Sequence, residues 1–323
     1  MRYRKLGKTG FEAGDIGYGA WGIGGAMWQG SKDDESLAAL RTALDLGLNF
    51  IDTALAYGDG HSENLVGQVV RDSGKKIFVA TKVPPKNQLW PARCGIPITE
   101  AFPYDYIVEC TERSLKNLGF EQVDLQQLHV WNPEWIESDD WQRAAEDLKR
   151  AGKIRAFGVS INDHDPDSAL SLVETGKIDT VQVIYNIFEQ DPEYRLFPKC
   201  IERKVGVIAR VPLDEGALTG RIGESTTFPP GDFRNAYFKG DRKRDVARRA
   251  AALQRDLAGV EGSLPEIALR FCLSHPAVSV AIPGMRSVRN VHANVAASDK
   301  GALDDATLEI LRKHAWHRNY WAD

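Results

Sequence analysis

The sequence predicts an α/β fold, a (β/α)8 barrel of the TIM type with an N-terminal β-hairpin and long loops on its top face. Short apolar runs rich in β-branched residues alternate with longer amphipathic runs along the chain. Most of the amphipathic runs begin at Asp or Ser and end at Gly, as helices do. No linker rich in Pro, Ser or charge interrupts the 323 residues, a length that one such barrel reaches. We therefore expect residues 1–323 to form a single domain.

Eight runs have the length and composition of buried strands. In chain order these runs are 15–20, 49–52, 77–81, 123–129, 154–160, 180–185, 205–209 and 278–282. Helical runs lie between them, among them DDESLAALRTALDLG, YDYIVECTERSLKNLG, SDDWQRAAEDLKRAG and HDPDSALSLVETG. Strands that alternate with helices form a parallel sheet, and eight such units favour a closed barrel over an open doubly wound sheet.

Two connections are much longer than an ordinary loop between a strand and a helix. They span about 83–103 and about 210 to the 240s, and each follows a strand. Both should therefore emerge at the C-terminal face, where barrel enzymes carry their chemistry. We expect them to act as lids, although simple insertions would have the same lengths.

Charge and composition exclude several classes of function. The net charge is −4, and no Lys/Arg run with interleaved aromatic residues suggests nucleic-acid binding. No stretch of 18 apolar residues predicts a membrane span, and the N-terminus lacks the apolar core of a signal peptide. The four cysteines are widely spaced without a CxxC pair, which favours reduced thiols over disulfides or a zinc site. We expect a cytoplasmic protein without a metal; its oligomeric state stays open.

A glycine-rich motif near the N-terminus gives a misleading signal. Gly17, Gly19 and Gly22 match GxGxxG after a strand, the usual dinucleotide fingerprint. That motif binds a pyrophosphate only where a helix begins at its last glycine, and the continuation GIGGAMWQG cannot begin one. We expect these glycines instead to let the backbone approach a ligand closely beneath Trp21.

Polar residues stand at the ends of three consecutive apolar strands. Asp52 ends one strand, Lys82 ends the next and His129 the third, while Tyr57 follows Asp52 in a Gly-bracketed loop. Singly, each has an ordinary structural explanation: a cap, a solvated cation, a partly buried imidazole or a packed ring. Their coincidence at one face of one barrel predicts a catalytic site.

Further segments extend this pattern along the chain. They are LGKTG, GYGAWGIGG, DTALAYGDGHSENLVG, TKV, DLQQLH, GVS (158–160), Gln182 in VQVIYN, PLDEGALTG (212–220) and IPGMRSVRNVHAN (282–294). With them, the sequence resembles the aldo-keto reductase superfamily over essentially its whole length. The resemblance implies NADPH-dependent reduction of aldehydes or ketones to alcohols, with Asp52, Tyr57, Lys82 and His129 as the catalytic tetrad.

The chemistry of these four side chains suits carbonyl reduction. The reduction needs a proton donor for the developing oxyanion, and the pKa of tyrosine is near 10. An ammonium about 4 Å away favours the phenolate by up to about 4 kcal/mol, which should bring the pKa of Tyr57 toward neutral pH. Asp52 should hold Lys82 in place, and His129 should orient the substrate oxygen. The cofactor supplies the hydride.

The resemblance also implies where NADPH binds. It places the nicotinamide carboxamide against Ser160, Gln182 and Asn162, and Arg210 stands where the family usually stacks an aromatic ring. Arg286, near the start of a helix, should pair with the 2′-phosphate, which favours NADPH over NADH. The remaining implied contacts are Gly19, Ala20, Trp21, Asp52, Pro212, Leu213, Gly216, Leu218, Ile282, Gly284, Asn290 and Asn294.

Four tryptophans could form the walls of an apolar substrate pocket: Trp21, Trp28, Trp90 and Trp131. The carbonyl compound itself stays open among aldehydes, quinone-like dicarbonyls, sugars and pyridoxal. Two other functions remain as alternatives. One is a regulatory nucleotide-binding subunit with little turnover. The other is a metal-dependent sugar isomerase, which would need more carboxylates and histidines at the strand ends.

Overall fold

The computed structural model describes residues 1–321, and it begins with an antiparallel hairpin of β1 (Tyr3–Lys5) and β2 (Glu12–Gly14). Eight parallel strands follow and pair in chain order. They are β3 (Tyr18–Gly19), β4 (Phe50–Asp52), β5 (Phe78–Val83), β6 (Val123–Leu128), β7 (Ile154–Ser160), β8 (Thr180–Ile184), β9 (Gly206–Arg210) and β10 (Val278–Ala281).

Backbone hydrogen bonds join the two outer strands of this sheet and close the barrel. The N–H of Gly17 donates to the Ala281 carbonyl at 2.8 Å, and the N–H of Ala281 donates to the Asp15 carbonyl at 2.9 Å. Gly19 continues the seam beside Gly284. A Cβ on Gly19 would lie 2.5 Å from the Ile282 carbonyl oxygen, so only glycine fits there. The barrel predicted from the sequence is confirmed.

Most of the helices cover the outside of the barrel. In chain order the helices are α1 (Asp33–Asp45), α2 (His61–Ser73), α3 (Ile98–Ala101), α4 (Tyr104–Leu118), α5 (Asp139–Arg150), α6 (Leu170–Thr175), α7 (Leu196–Arg203), α8 (Arg234–Tyr237), α9 (Arg242–Asp256), α10 (Leu264–Ser274), α11 (Val288–Lys300) and α12 (Asp305–Arg312). The two short ones, α3 and α8, lie in the long connections. Several begin where a side-chain oxygen accepts a free backbone N–H, such as Ser138 at α5 and Ser287 at α11. None of the helices in residues 1–321 has the length and apolar character needed to cross a membrane.

The hairpin closes the N-terminal end of the barrel. Leu6 and Phe11 pack into a buried cluster with inward-facing strand residues, and the Phe11 ring stacks on Phe78 with centroids 4.7 Å apart. Apolar side chains therefore fill this end of the barrel, which leaves the C-terminal face as the end that can carry a site.

No α-helix begins at the glycine motif after β3. The chain instead forms a single 3₁₀ turn, Trp21–Ile23, and the first helix begins at Asp33. The prediction that no helix begins at this motif is therefore confirmed, and the motif lacks the helix N-terminus that a Rossmann-type site uses to bind a pyrophosphate.

The second long connection crosses the barrel mouth to meet the loop after β3. The N–H of Phe233 donates to the Met27 carbonyl at 2.7 Å, and the Gln29 N–H donates to the Asp232 carboxylate at 3.2 Å. The Arg234 guanidinium lies 4.4 Å from the Trp28 ring centroid. The connection therefore covers part of the C-terminal face; whether it moves as a lid stays a prediction.

Candidate active site

Strand ends bring the four predicted catalytic side chains together at the C-terminal face. Asp52 is the last residue of β4, Lys82 lies near the end of β5, and His129 directly follows β6. The Lys82 ammonium donates to Asp52 Oδ2 at 2.6 Å and to Tyr57 Oη at 3.3 Å. The ammonium therefore connects a carboxylate to a phenol, as the sequence predicts.

Lys82 is fully buried and uses all three of its ammonium protons. Its third donor reaches the Thr53 carbonyl at 2.8 Å. Burial lowers the pKa of Lys82, but the nearby Asp52 carboxylate and Tyr57 together outweigh burial and raise that pKa overall. The group is a permanent cation across the physiological range.

Two glutamine side chains hold the other oxygen of the Asp52 carboxylate. Gln182 Nε2 donates to Asp52 Oδ1 at 2.7 Å, and Gln127 Nε2 approaches the same atom at 3.4 Å. Gln182 thus supports the tetrad, in addition to the nicotinamide contact expected of it. Gln127 was not among the sequence predictions, although a polar residue within the apolar run VDLQQLH is a signal that could have identified it.

The expected decrease in the pKa of Tyr57 is wrong for this structure. Burial raises its pKa above the ordinary value, and the Lys82 cation opposes this rise only in part. The Lys82 ammonium lies beside the phenol as the sequence predicts, but the phenol has also lost the water around it. Tyr57 is therefore a protonated phenol at neutral pH, the form that a proton donor needs.

His129 lies beside Tyr57 as a neutral imidazole. The two rings meet edge to face with centroids 5.6 Å apart. Burial, together with the positive charges of Lys82 and Arg210, holds the pKa of His129 well below its usual value. Its Nδ1 atom is buried without a hydrogen-bond partner within residues 1–321. This neutral ring can orient a bound oxygen without adding charge.

Aromatic side chains line the cleft above the tetrad. The Trp21 ring centroid lies 6.2 Å from that of Tyr57 and 5.3 Å from that of Trp28, and Trp90 meets His129 at 4.6 Å. Phe233, which was not predicted, packs 5.0 Å from Trp21. These rings form an apolar wall beside Tyr57 and His129.

Trp131 does not belong to this wall, so that prediction is wrong. It is fully buried and packs against Trp135 and Trp141, with ring centroids 6.1 and 5.7 Å away. Its ring therefore packs against helix α5, which carries Trp141. It contributes to packing rather than to ligand contact.

Arg210, the last residue of β9, is paired with a carboxylate. Its Nη2 donates to Asp163 Oδ1 at 2.7 Å and to the Ile161 carbonyl at 2.8 Å. The other Asp163 oxygen accepts from Trp321 Nε1 at 2.8 Å. Arg210 Nε is buried without a hydrogen-bond partner in the part of the chain described. The guanidinium is therefore held in one orientation with a donor still free.

Asn162 was expected to contact the nicotinamide, but its side chain is hydrogen-bonded to the backbone of Ala92 instead. Its Nδ2 donates to the Ala92 carbonyl at 3.1 Å, and its Oδ1 accepts the Ala92 N–H at 3.0 Å. The amide thus fastens the first long connection, and both of its ends are occupied. Ser160, at the end of β7, is buried in the same barrel mouth.

The turn after β10 leads to an open helix end. A Cβ on Gly284 would meet nothing within 4 Å, and α11 begins four residues later at Val288. Arg286 donates to the Gln29 carbonyl at 2.7 Å, and Asn294 reaches the Gly284 carbonyl at 3.4 Å. Open space, a helix N-terminus and an arginine fit the phosphate-bearing end of a dinucleotide.

The other implied cofactor residues lie on the same face with differing exposure. Gly216 and Leu213 are partly exposed in the turn after β9, whereas the side chains of Ala20 and Leu218 are fully buried. Pro212 and Ile282 are also buried, and Asn290 is partly exposed on the first turn of α11. Within residues 1–321, no three His, Cys, Asp or Glu side chains gather as metal ligands.

Comparisons with known proteins agree with this geometry. The family model for the aldo/keto reductase family matches residues 15–315. The chain is 34% identical to aldo-keto reductase YhdN of Bacillus subtilis (strain 168), covering 91% of this chain and 87% of that protein. It is 27% identical to the NADH-specific methylglyoxal reductase of Escherichia coli (strain K12), covering 98% of each chain. The holo form of aldo-keto reductase AKR11C1 from Bacillus halodurans superposes with a TM-score of 0.79 at 26% identity, covering 100% of this chain and 99% of that one.

Proposed function

This chain belongs to the aldo/keto reductase family and is an NAD(P)H-dependent oxidoreductase, and from that premise we propose that it reduces aldehydes or ketones to alcohols with NADPH. The observation that carries the proposal is the Lys82 ammonium, 2.6 Å from Asp52 and 3.3 Å from Tyr57 at the barrel mouth. NADPH, when bound, supplies the hydride that reaches the carbonyl carbon.

The protein's own residues supply the proton and stabilise the developing charge. Tyr57 donates the proton from Oη to the carbonyl oxygen as that oxygen becomes negative. Lys82 stabilises the resulting phenolate, and Asp52 fixes the ammonium in place. Neutral His129 donates a hydrogen bond to the same oxygen and orients it. The hydride and the proton together convert the carbonyl into an alcohol.

The nicotinamide end of the cofactor is proposed to lie between Ser160 and Arg210. The Asp163 carboxylate holds the Arg210 guanidinium in one plane, and such a plane can stack on a ring in place of an aromatic side chain. The phosphate-bearing end is proposed to lie across Gly284 toward α11, with Asn290 and Asn294 near the adenine.

Arg286→Ala should weaken the binding of NADPH by about tenfold and leave NADH binding nearly unchanged. A guanidinium that pairs with the 2′-phosphate contributes a charge-assisted hydrogen bond that NADH cannot form. Titration calorimetry with both nucleotides measures the two dissociation constants. Arg289→Ala, which removes an exposed arginine from the first turn of α11, is the matched control. Equal dissociation constants of the native chain for NADPH and NADH would contradict the preference.

The activity is tested by following NADPH absorbance with a panel of methylglyoxal, pyridoxal, an aromatic aldehyde and an aldose. We expect turnover with at least one of the aldehydes. Tight NADPH binding with no turnover on any compound would instead favour the nucleotide-binding regulatory function. The panel also ranks the substrate classes that the sequence leaves open.

A further inference from the structure

Trp321 connects the C-terminal segment of the chain to the catalytic cleft. We propose that Trp321 is a positioning residue, whose indole N–H holds the Asp163 carboxylate and through it the Arg210 guanidinium beside Tyr57 and His129. The kinetic part of this inference rests on the proposed reductase function. Its structural part depends only on contacts among residues 1–321.

Each oxygen of the Asp163 carboxylate accepts a hydrogen bond from a different side chain, Arg210 or Trp321. Oδ1 accepts from Arg210 at 2.7 Å and Oδ2 accepts from Trp321 at 2.8 Å. Burial raises the pKa of Asp163, but Arg210, His164 and the two hydrogen bonds outweigh burial and lower that pKa overall. The group is therefore a carboxylate with fixed orientation, because each oxygen has a directed donor.

Arg210 lies close enough to the tetrad for its charge to act there. Its positive charge lowers the pKa of His129 and opposes the rise in the pKa of Tyr57. A guanidinium has several accessible rotamers and loses them only when its hydrogen bonds hold it. The Asp163 pair and the Ile161 carbonyl supply those bonds. The position of the Arg210 charge relative to Tyr57 therefore depends on how firmly Asp163 is held.

The Trp321 ring also contacts the opposite side of the cleft. Its centroid lies 6.0 Å from that of Phe233 and 6.4 Å from that of Tyr237, both in the second long connection. Phe233 packs on Trp21, which in turn stacks near Tyr57. One indole thus bridges the Asp163 side and the Tyr57 side of the barrel mouth.

Buried contacts fix the segment that carries Trp321. Arg318 forms a buried ion pair with Asp214, and its guanidinium lies 4.5 Å from the Trp316 ring centroid. Arg249 lies 4.1 Å from the centroid of the same ring, and the backbone N–H of Trp316 donates to the Phe188 carbonyl at 2.8 Å. Because its neighbours are held in this way, Trp321 is presented to Asp163 in a defined position.

Trp321→Phe tests the proposal because it removes the indole N–H and keeps a smaller aromatic ring near Phe233 and Tyr237. We expect kcat/KM for carbonyl reduction to fall about tenfold, the loss typical of a hydrogen bond to a charged group. The melting temperature should stay close to that of the native chain. Trp141→Phe on helix α5, which removes an indole N–H that donates to the Trp135 carbonyl at 2.9 Å, is the matched control and should change kcat/KM by less than about twofold.

A double-mutant cycle separates positioning from simple packing. In the Asp163→Asn background, Trp321→Phe should change kcat/KM by less than about twofold, because the carboxylate through which it acts is absent. Multiplicative effects of the two substitutions, or native kcat/KM in Trp321→Phe, would overturn the proposal.

The same double-mutant cycle is repeated with the dissociation constant of NADPH, measured by calorimetry, as the readout. This measurement needs no turnover. If the native chain reduces no carbonyl, the proposed function fails, but coupling between Trp321 and Asp163 in this constant would still support the positioning role. If the two substitutions weaken NADPH binding independently, the positioning role fails even where turnover is normal.

Discussion

Lys82→Met should lower kcat/KM for carbonyl reduction by about a hundred- to a thousandfold and destabilise the fold by about 3–5 kcal/mol. The substitution removes the cation that stabilises the developing phenolate of Tyr57. It also leaves the Asp52 carboxylate buried without its counter-ion, with only the glutamine amides as partners. NADPH oxidation measures the first effect, and urea denaturation measures the second.

A second substitution separates these two effects. In Lys82→Met with Asp52→Asn, the unpaired charge is gone, so much of the stability should return. Activity should not return, because the ammonium beside Tyr57 is still absent. Recovery of activity together with stability in the double variant would show that Lys82 acts only through the fold.

Tyr57→Phe should reduce kcat/KM by about a thousandfold, leave NADPH affinity almost unchanged and destabilise the fold by only about 1–3 kcal/mol. The variant keeps the ring that packs near Trp21 and against the edge of His129 and removes only the proton donor. Lys82 retains two of its three acceptors, Asp52 and the Thr53 carbonyl, so the buried ammonium loses one hydrogen bond but keeps its counter-ion. Steady-state NADPH oxidation with the best aldehyde of the panel measures the effect.

Tyr18→Phe is the matched control for this loss. It also removes a buried phenolic hydroxyl, one with no hydrogen-bond partner within residues 1–321. Tyr18 lies in β3 rather than in the Gly-bracketed loop of Tyr57. The control should therefore keep kcat/KM within about twofold of the native value. A comparable loss in both variants would mean that hydroxyl removal disturbs the barrel rather than the proton transfer.

The barrel and the tetrad could be predicted because both follow from strand periodicity. A strand that is buried on both faces is a continuous apolar run, so a polar residue at its end marks the barrel mouth. The run 154–160 coincides with strand β7, Ile154–Ser160. The run 15–20 shortens to Tyr18–Gly19, because the residues before it close the barrel through isolated hydrogen bonds to β10.

Contacts beyond the strand ends could not be predicted in the same way. Side-chain direction there depends on how each loop turns, which places Trp131 in the core and Asn162 against Ala92. The Asp163–Trp321 hydrogen bond joins residues 158 positions apart and has no local signal. Whether the pKa of Tyr57 rises or falls depends on the burial of its hydroxyl, which the spacing of residues does not reveal.

The single-domain interpretation of residues 1–323 and the cytoplasmic location remain predictions. The NADPH preference remains a proposal that depends on Arg286, and one relative is named an NADH-specific reductase. The substitution of Arg286 described above decides between the two nucleotides for this chain.

Hydride transfer in a single turnover tests most directly whether the Tyr57 phenol donates the proton to the carbonyl oxygen. The native chain and the Tyr57→Phe variant are each saturated with NADPH and then mixed rapidly with a saturating concentration of aldehyde. Under these conditions neither cofactor binding nor product release limits the measured rate. Tyr57→Phe should oxidise its bound NADPH at least about a hundred times more slowly than the native chain. A first-turnover rate within about threefold of the native rate would contradict that assignment.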